Sequence, residues 1–239
     1  RQSLAHTIKI TGKEGTNIIK GKTGSTVTTV YPDASPESTS VDGFADREGT
    51  NLTWADIRDG VGVSASDTSL NLYAGGYLAS GTTSGGWNDL SRAIMLFDTS
   101  AIPDGDAISA AVLSVYGNAK ADTLSAAPTS NIYTSTPATD TAVVSGDYTQ
   151  VGSTAQSDTA IAYADWSTTG YNDWTLNATG RGNISKTAVS KFGARANHDV
   201  NNAEPTWSAS SEAYMRGNSA DNTGTTTDPK LVVTHAAAA

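Results

Sequence analysis

The chain has 239 residues, 15 basic against 24 acidic side chains for a formal charge of −9, and no cysteine. That acidity excludes the positive field a nucleic-acid backbone requires, and the missing thiols exclude disulfide staples, thiolate catalysis and cysteine-ligated zinc. No apolar run approaches the roughly 18 residues of a membrane-spanning helix. Only 16% of residues are charged, and Gly, Ala, Ser and Thr dominate. This length and composition suit one large β domain, with or without an arm.

The chain opens at Arg1 with a short apolar stretch, so no signal peptide is expected and the start reads as processed or trimmed. Residues 1–25 carry five basic side chains against Glu14 alone, a surplus of +4 that leaves −13 on the other 214. Short apolar–polar alternations at 7–11 and 17–20, separated by Gly12 and Gly15, predict an extended arm with hairpin character. Lys9, Lys13, Lys20 and Lys22 are its docking residues for an acidic neighbour such as another subunit, unless the arm is merely solvated.

Residues 27–31 (VTTVY) predict the first strand of the body, ended by Pro32 and Pro36. A long, polar, glycine-rich insert follows at 33–90. In it, residues 54–58 predict a helical turn capped by Thr53 and residues 69–73 a strand. The stretch 91–116 is the strongest structural signal. An apolar segment at 92–97, a turn-rich break at 98–106 and an alternating segment at 108–116 read as strand, crossing loop, strand. Further strands are expected at 131–134, 161–166, 173–176, 191–196, 213–216 and 231–234, with a short helix or turn at 177–184.

About eight to ten short strands with almost no amphipathic helix define an all-β protein. The expected fold is a jelly-roll-like antiparallel β-sandwich over residues 26–235, with an N-terminal arm and a four-residue tail at 236–239.

The string Arg92, Phe97-Asp98-x-Ser100-x-Ile102-Pro103-x-Gly105, then Ile108-x-x-Ala111-x-Leu113-x-x-Tyr116, resembles the signature of DNRLRE-type domains. These are disaggregatase-related, carbohydrate-binding-module-like β-sandwiches of secreted, surface and phage-type proteins. Pro229-x-Leu231-x-Val233 is similar to the family's last strand, and residues 176–196 to its short helix and Phe-Gly-x-Arg strand. The resemblance spans residues 92–234 and implies a fold more than an activity. Read physically, Phe97, Ile102, Leu113 and Val115 supply core, and Pro103 and Gly105 set a turn. Asp98 bonds nearby backbone N–H groups. Arg92 is expected to pair with a buried carboxylate, Asp98 being the nearest choice.

Chemistry is sparse. Of three histidines only His198 lies in the body, beside Asp199, and neighbours on a strand point to opposite faces. Glu204 and Glu212 flank Trp207, the best constellation for binding or hydrolysing a sugar. Trp207 and Trp87 are the aromatics proposed to stack on glycan rings, against the alternative that they fill the core. The acidic turns Asp104-Gly105-Asp106 and 42–46 offer hard oxygen ligands for a structural calcium ion; no other cofactor is expected.

The leading expectation is a non-catalytic structural module on an assembly surface, a virion decoration, spike or appendage, located outside the cell or on a virion and docked by its arm onto other subunits. A carbohydrate-binding module is the alternative. A polysaccharide-active enzyme using Glu204 or Glu212 is the third.

Overall fold

A computed structural model describes residues 8–11, 16–19 and 24–238. Strands β1 (Ile8–Thr11) and β2 (Thr16–Ile19) form an antiparallel two-stranded sheet of their own, the hairpin expected of the arm. Lys9 lies on β1, while Lys13, Lys20 and Lys22 fall outside the described residues.

Fourteen further strands build the body, all antiparallel. They are β3 (Thr26–Val30), β4 (Asp42–Leu52), β5 (Ser64–Ser66), β6 (Asn71–Leu72), β7 (Tyr77–Ser80), β8 (Trp87–Asp98) and β9 (Asp106–Asp122). After them come β10 (Thr129–Ser135), β11 (Val151–Ala155), β12 (Ile161–Ala162), β13 (Tyr171–Thr175), β14 (Val189–Ala196), β15 (Glu212–Asn218) and β16 (Lys230–Ala237). Three short helices are α1 (Trp54–Asp59), α2 (Ala178–Gly182) and α3 (Asn197–Val200).

One layer runs β13-β9-β16-β3. The other is organised on β8, which pairs with β4 along one edge and with β14 and β7 along the other. Strand β9 serves both layers. It pairs with β13 and β16 first and then, past a bulge, with β15.

Ala93, Met95 and Phe97 of β8 and Phe192 of β14 pack against Leu113, Val115, Leu231 and Trp174 in the core between the layers. Leu90, Ile94 and Leu96 point to the opposite face of β8. There they meet Trp54 and Ile57 of α1, Trp87 and Tyr148 in a second core. Burial on both faces explains why β8 reads as a continuous apolar run. Each fully buried side chain of this kind contributes about 1.5–3 kcal/mol.

Arg92 sits in that second core and its partner is Asp199, not Asp98. Its Nε and Nη2 donate to the Asp199 carboxylate at 2.8 and 2.7 Å, and Arg195 makes a second fork onto the same carboxylate at 2.7 and 2.7 Å. Asp98 stands at the far end of β8, half-exposed, and accepts the Ser100 N–H at 3.0 Å, the turn bond expected of it. Pro103 accepts the Asp106 N–H in the same turn, next to exposed Gly105.

The helical turns also match. Thr53 caps α1 by accepting the Asp56 N–H, and Asn177 caps α2 by accepting that of Gly180. The 33–90 insert, expected to be mostly irregular, holds β4, an 11-residue strand.

A candidate binding face of carboxylates and tyrosines

The register of four neighbouring strands gathers polar side chains on one face. Asp46 and Glu48 of β4 lie opposite Ser91 and Asp89 of β8. Ser91 and Asp89 in turn face Tyr77 and Ala79 of β7, which face Tyr214 and Glu212 of β15. Directly opposed residues share a face and touch. Phe44, two residues before Asp46, belongs to the same face.

Tyr73 joins from the loop between β6 and β7. The Gly76 N–H bonds back to the Tyr73 carbonyl at 2.9 Å, and Gly76 takes a φ of +73°, which a side chain would strain. This turn brings the Tyr73 ring to 5.2 Å from Tyr77, 6.3 Å from Tyr214 and 5.1 Å from Phe44. Tyr77 and Tyr214 are 5.8 Å apart, and the Arg216 guanidinium lies 5.7 Å from the Tyr214 ring centre. All four rings are half-buried, so each keeps a solvent-facing edge or face.

The carboxylates are held under strain. Ser64 Oγ donates to Glu48 Oε1 at 2.6 Å and lies 3.3 Å from Asp46 Oδ2. Asp46 is buried and its Oδ1 has no partner; Oδ1 of half-buried Asp89 has none either. Burial first, then the charges of Asp46 and Glu48, push Asp89 up to about 8. Burial, reinforced by Glu48, pushes Asp46 up to about 6 against the opposing bonds of Ser91 and Ser64. Near neutral pH the group therefore carries one proton on Asp89, which becomes a hydrogen-bond donor. On the far side, Tyr77 Oη donates to Glu212 Oε2 at 3.0 Å, and burial followed by that bond raises the Tyr77 hydroxyl.

The face thus offers ring surfaces, a neutral carboxyl, ionised carboxylates, hydroxyls and one guanidinium on a rigid sheet. That set suits an oriented, multiply hydroxylated ligand.

The residues singled out from the sequence fall elsewhere, with one exception. Glu212 lies on this face. Trp87 is fully buried and donates its indole N–H to Glu204 at 2.8 Å, so no sugar can stack on it. Trp207 is half-buried against the second core, its indole bonded to the Gly86 carbonyl at 2.9 Å. Glu204 and Glu212 therefore serve different partners. His198 sets its ring nitrogens against the carbonyls of Ala126 and Ala203, at 2.8 and 3.1 Å, in a structural role. Asp106 bonds the His235 ring at 2.6 Å, and Lys186 donates to its carbonyl at 2.8 Å, so protein side chains already occupy donors of the 104–106 turn. Phe97 is core, and Tyr116 stacks edge-on to Tyr171 at 5.3 Å with its hydroxyl on the Thr169 carbonyl.

Tyr77, Tyr214, Asp46 and Asp89 were not legible as a site. Asp89 and Ser91 flank a buried Leu90, an alternation that marks an amphipathic strand without naming its ligand. No protein-family model matches the chain, and no curated protein matches it in sequence.

Proposed function

We propose that this chain is a non-catalytic carbohydrate-binding module that holds a polysaccharide on the face formed by β4, β8, β7 and β15. The observation that carries this reading is the cluster of half-exposed rings, Phe44, Tyr73, Tyr77 and Tyr214, directly beside Asp46, Asp89 and Glu212. Rings supply apolar area at low conformational cost, and the flanking carboxyls take sugar hydroxyls.

Turnover fits less well. Glycoside hydrolysis needs two carboxyl groups that flank the scissile bond, whereas these all approach a ligand from one side of a sheet. Acidic groups outnumber Arg216, so the ligand is a neutral or amino-sugar glycan rather than a uronate.

A glycan array and affinity electrophoresis test this directly. Retention by neutral or amino-sugar polysaccharides, lost in Tyr77→Ala and Tyr214→Ala, supports it; a flat array refutes it.

The β1–β2 hairpin favours a second reading, in which the basic arm docks the module onto a neighbouring subunit of a particle or surface assembly. Deleting residues 1–25 then abolishes incorporation and leaves glycan binding intact. Unchanged incorporation removes this reading.

A further inference from the structure

The body ends on one side in an open sheet edge. Strand β3 pairs with β16 and, among the described residues, with no strand along its other side. Its sequence, TVTTV, is β-branched throughout and holds neither a charge nor a proline. Its register with β16 runs without a bulge, and Val27 is 61% exposed. Charges, prolines and bulges guard the edges of natural sheets, and an edge without them is a template for another strand.

A cleft of about 670 Å³ opens where β3 ends. Thr29 and Val30 line it together with Asp33, Asp98 and Asp228, and its described lining includes no Lys, Arg or His. Two of these carboxyls keep their charge. Against its partial burial, bonds from Thr39 and Ser38 hold Asp33 at about 2. Bonds from Ser100 hold Asp98 below the ordinary carboxyl range. Lys230, two residues beyond Asp228, is engaged elsewhere, its ammonium 3.6 Å from the Tyr171 ring centre.

The arm has the complementary character. It carries a surplus of +4, and four of the eight residues of β1 and β2 are isoleucine. A hairpin of two strands is marginal in water by itself, and a third strand completes it. The six residues 20–25 are enough for β2 to turn back onto its own β3, yet the hairpin forms a sheet separate from the body. An unguarded edge and a hairpin short of a strand thus stand in one chain without pairing.

We infer, resting on the reading in which the arm docks on a neighbour, that the neighbour is a second copy of this chain. The β1–β2 hairpin of one copy adds to the open edge of β3 in the next, and the basic side chains of that arm lie against Asp33, Asp98 and Asp228. Backbone hydrogen bonds along β3 supply the affinity, and the acidic cleft fixes which end of the edge the arm meets. Each copy offers one arm and one edge, so the contact closes as a reciprocal pair or a ring, or runs on as a filament.

Sedimentation of the full chain, without glycan, is the test. The mass is expected to rise above one chain with concentration and to fall back as salt screens the arm. Deletion of residues 1–25 is expected to leave a monomer, and so is Val27→Lys, which sets a lysine on the edge against the basic arm. A mixture of the two forms a one-to-one complex, because one keeps the edge and the other the arm. Asp98→Asn keeps an oxygen for the Ser100 N–H, removes one charge and weakens association several-fold; it carries the test if Val27→Lys does not fold. A full chain that is monomeric at every concentration overturns the inference. Association undiminished in the arm deletion, or in folded Val27→Lys or Asp98→Asn, overturns it equally. Incorporation lost on arm deletion, in a chain that stays monomeric, overturns this inference alone and leaves the arm-docking reading in place, with a different protein as neighbour.

Discussion

Replacing Asp89 by asparagine keeps the shape of the side chain and removes its need for a proton. In the folded protein burial and the charges of Asp46 and Glu48 hold that carboxyl at about 8, whereas in an unfolded chain it titrates near about 3.9. Between these values the folded state keeps a proton that the unfolded chain has released. The stability this group contributes is therefore fully present below the unfolded value and lost as pH rises through the folded one. The loss runs at about 1.4 kcal/mol per pH unit, so the three units from pH 5 to pH 8 set a ceiling near 4 kcal/mol. Partial solvent contact and the sharing of protons with Asp46 bring the expectation down to about 2 kcal/mol.

Urea unfolding of the Asp89→Asn variant at the two pH values is the assay. The variant is expected to exceed the parent by about 2 kcal/mol more at pH 8 than at pH 5. Glycan affinity falls in the same variant, because an amide N–H donor with different geometry replaces the carboxyl O–H that the face offers the ligand. Stability gained while binding is lost is the mark of a site that holds its groups against their preference. An equal stability gap at both pH values, or a variant less stable than the parent at pH 8, refutes this account of the cluster.

Asp199→Asn is expected to cost about 3–5 kcal/mol in urea unfolding, because it leaves two buried guanidiniums facing one neutral amide. The arginines hold Asp199 below its ordinary range despite its burial. Its contribution is thus present above the unfolded carboxyl value and lost as pH falls through the folded one, so the parent loses stability in acid and the variant does so less. Trp87→Phe destabilises the second core, measured by thermal unfolding, yet leaves glycan binding unchanged at temperatures where it is folded; a selective binding loss contradicts its burial. Tyr214→Ala lowers affinity at least tenfold in calorimetry, and Tyr77→Phe, which loses only the bond to Glu212, lowers it less.

The sandwich was legible wherever burial forced apolar side chains into sequence. Residues 92–97 lie between two cores, so both faces of β8 advertise strand, and the alternation at 108–116 marks one buried face of β9. The caps at Thr53 and Asn177 were legible because a side-chain oxygen ahead of a helical turn has a local role. By contrast, β4 reads DGFADREGTNL, short of β-branched residues and rich in Asp and Gly. Its pairing with β8 and β5 makes it a strand despite its propensities. A backbone carbonyl, Ser66 O, passes so close to Gly43 that a Cβ there would stand 2.3 Å away. Arg92 was read as part of a buried pair, and that logic held. The partner lay 107 residues away, a distance along the chain that no local pattern reports.

The proposed binding face was hidden for the same reason that it is rigid. It exists only where four strands from residues 42–98 and 212–218 fall into register, so no one stretch of sequence contains it. Beneath it, β8 sends Leu90 and Arg92 into the second core. There the Arg92 guanidinium spans the Asp199 carboxylate and the Tyr148 carbonyl, with its carbon 4.0 Å from the Tyr148 ring centre. Asp89 and Ser91 alternate with those anchors on the same strand. Their positions are therefore set by side chains that cannot move without unpairing a buried charge. A strand anchored this firmly below can carry repelling carboxyls above, and the packing of Leu90 and Arg92, one and three residues beyond Asp89, holds that carboxyl in its buried place beside Asp46 and Glu48. Loosening the anchor in Arg92→Lys, which keeps the charge but breaks the fork, is then expected to move the titration of Asp89 toward the ordinary carboxyl range, read by carbon-detected NMR of the side-chain carboxyl. An unmoved titration in the folded variant uncouples the two faces of the strand.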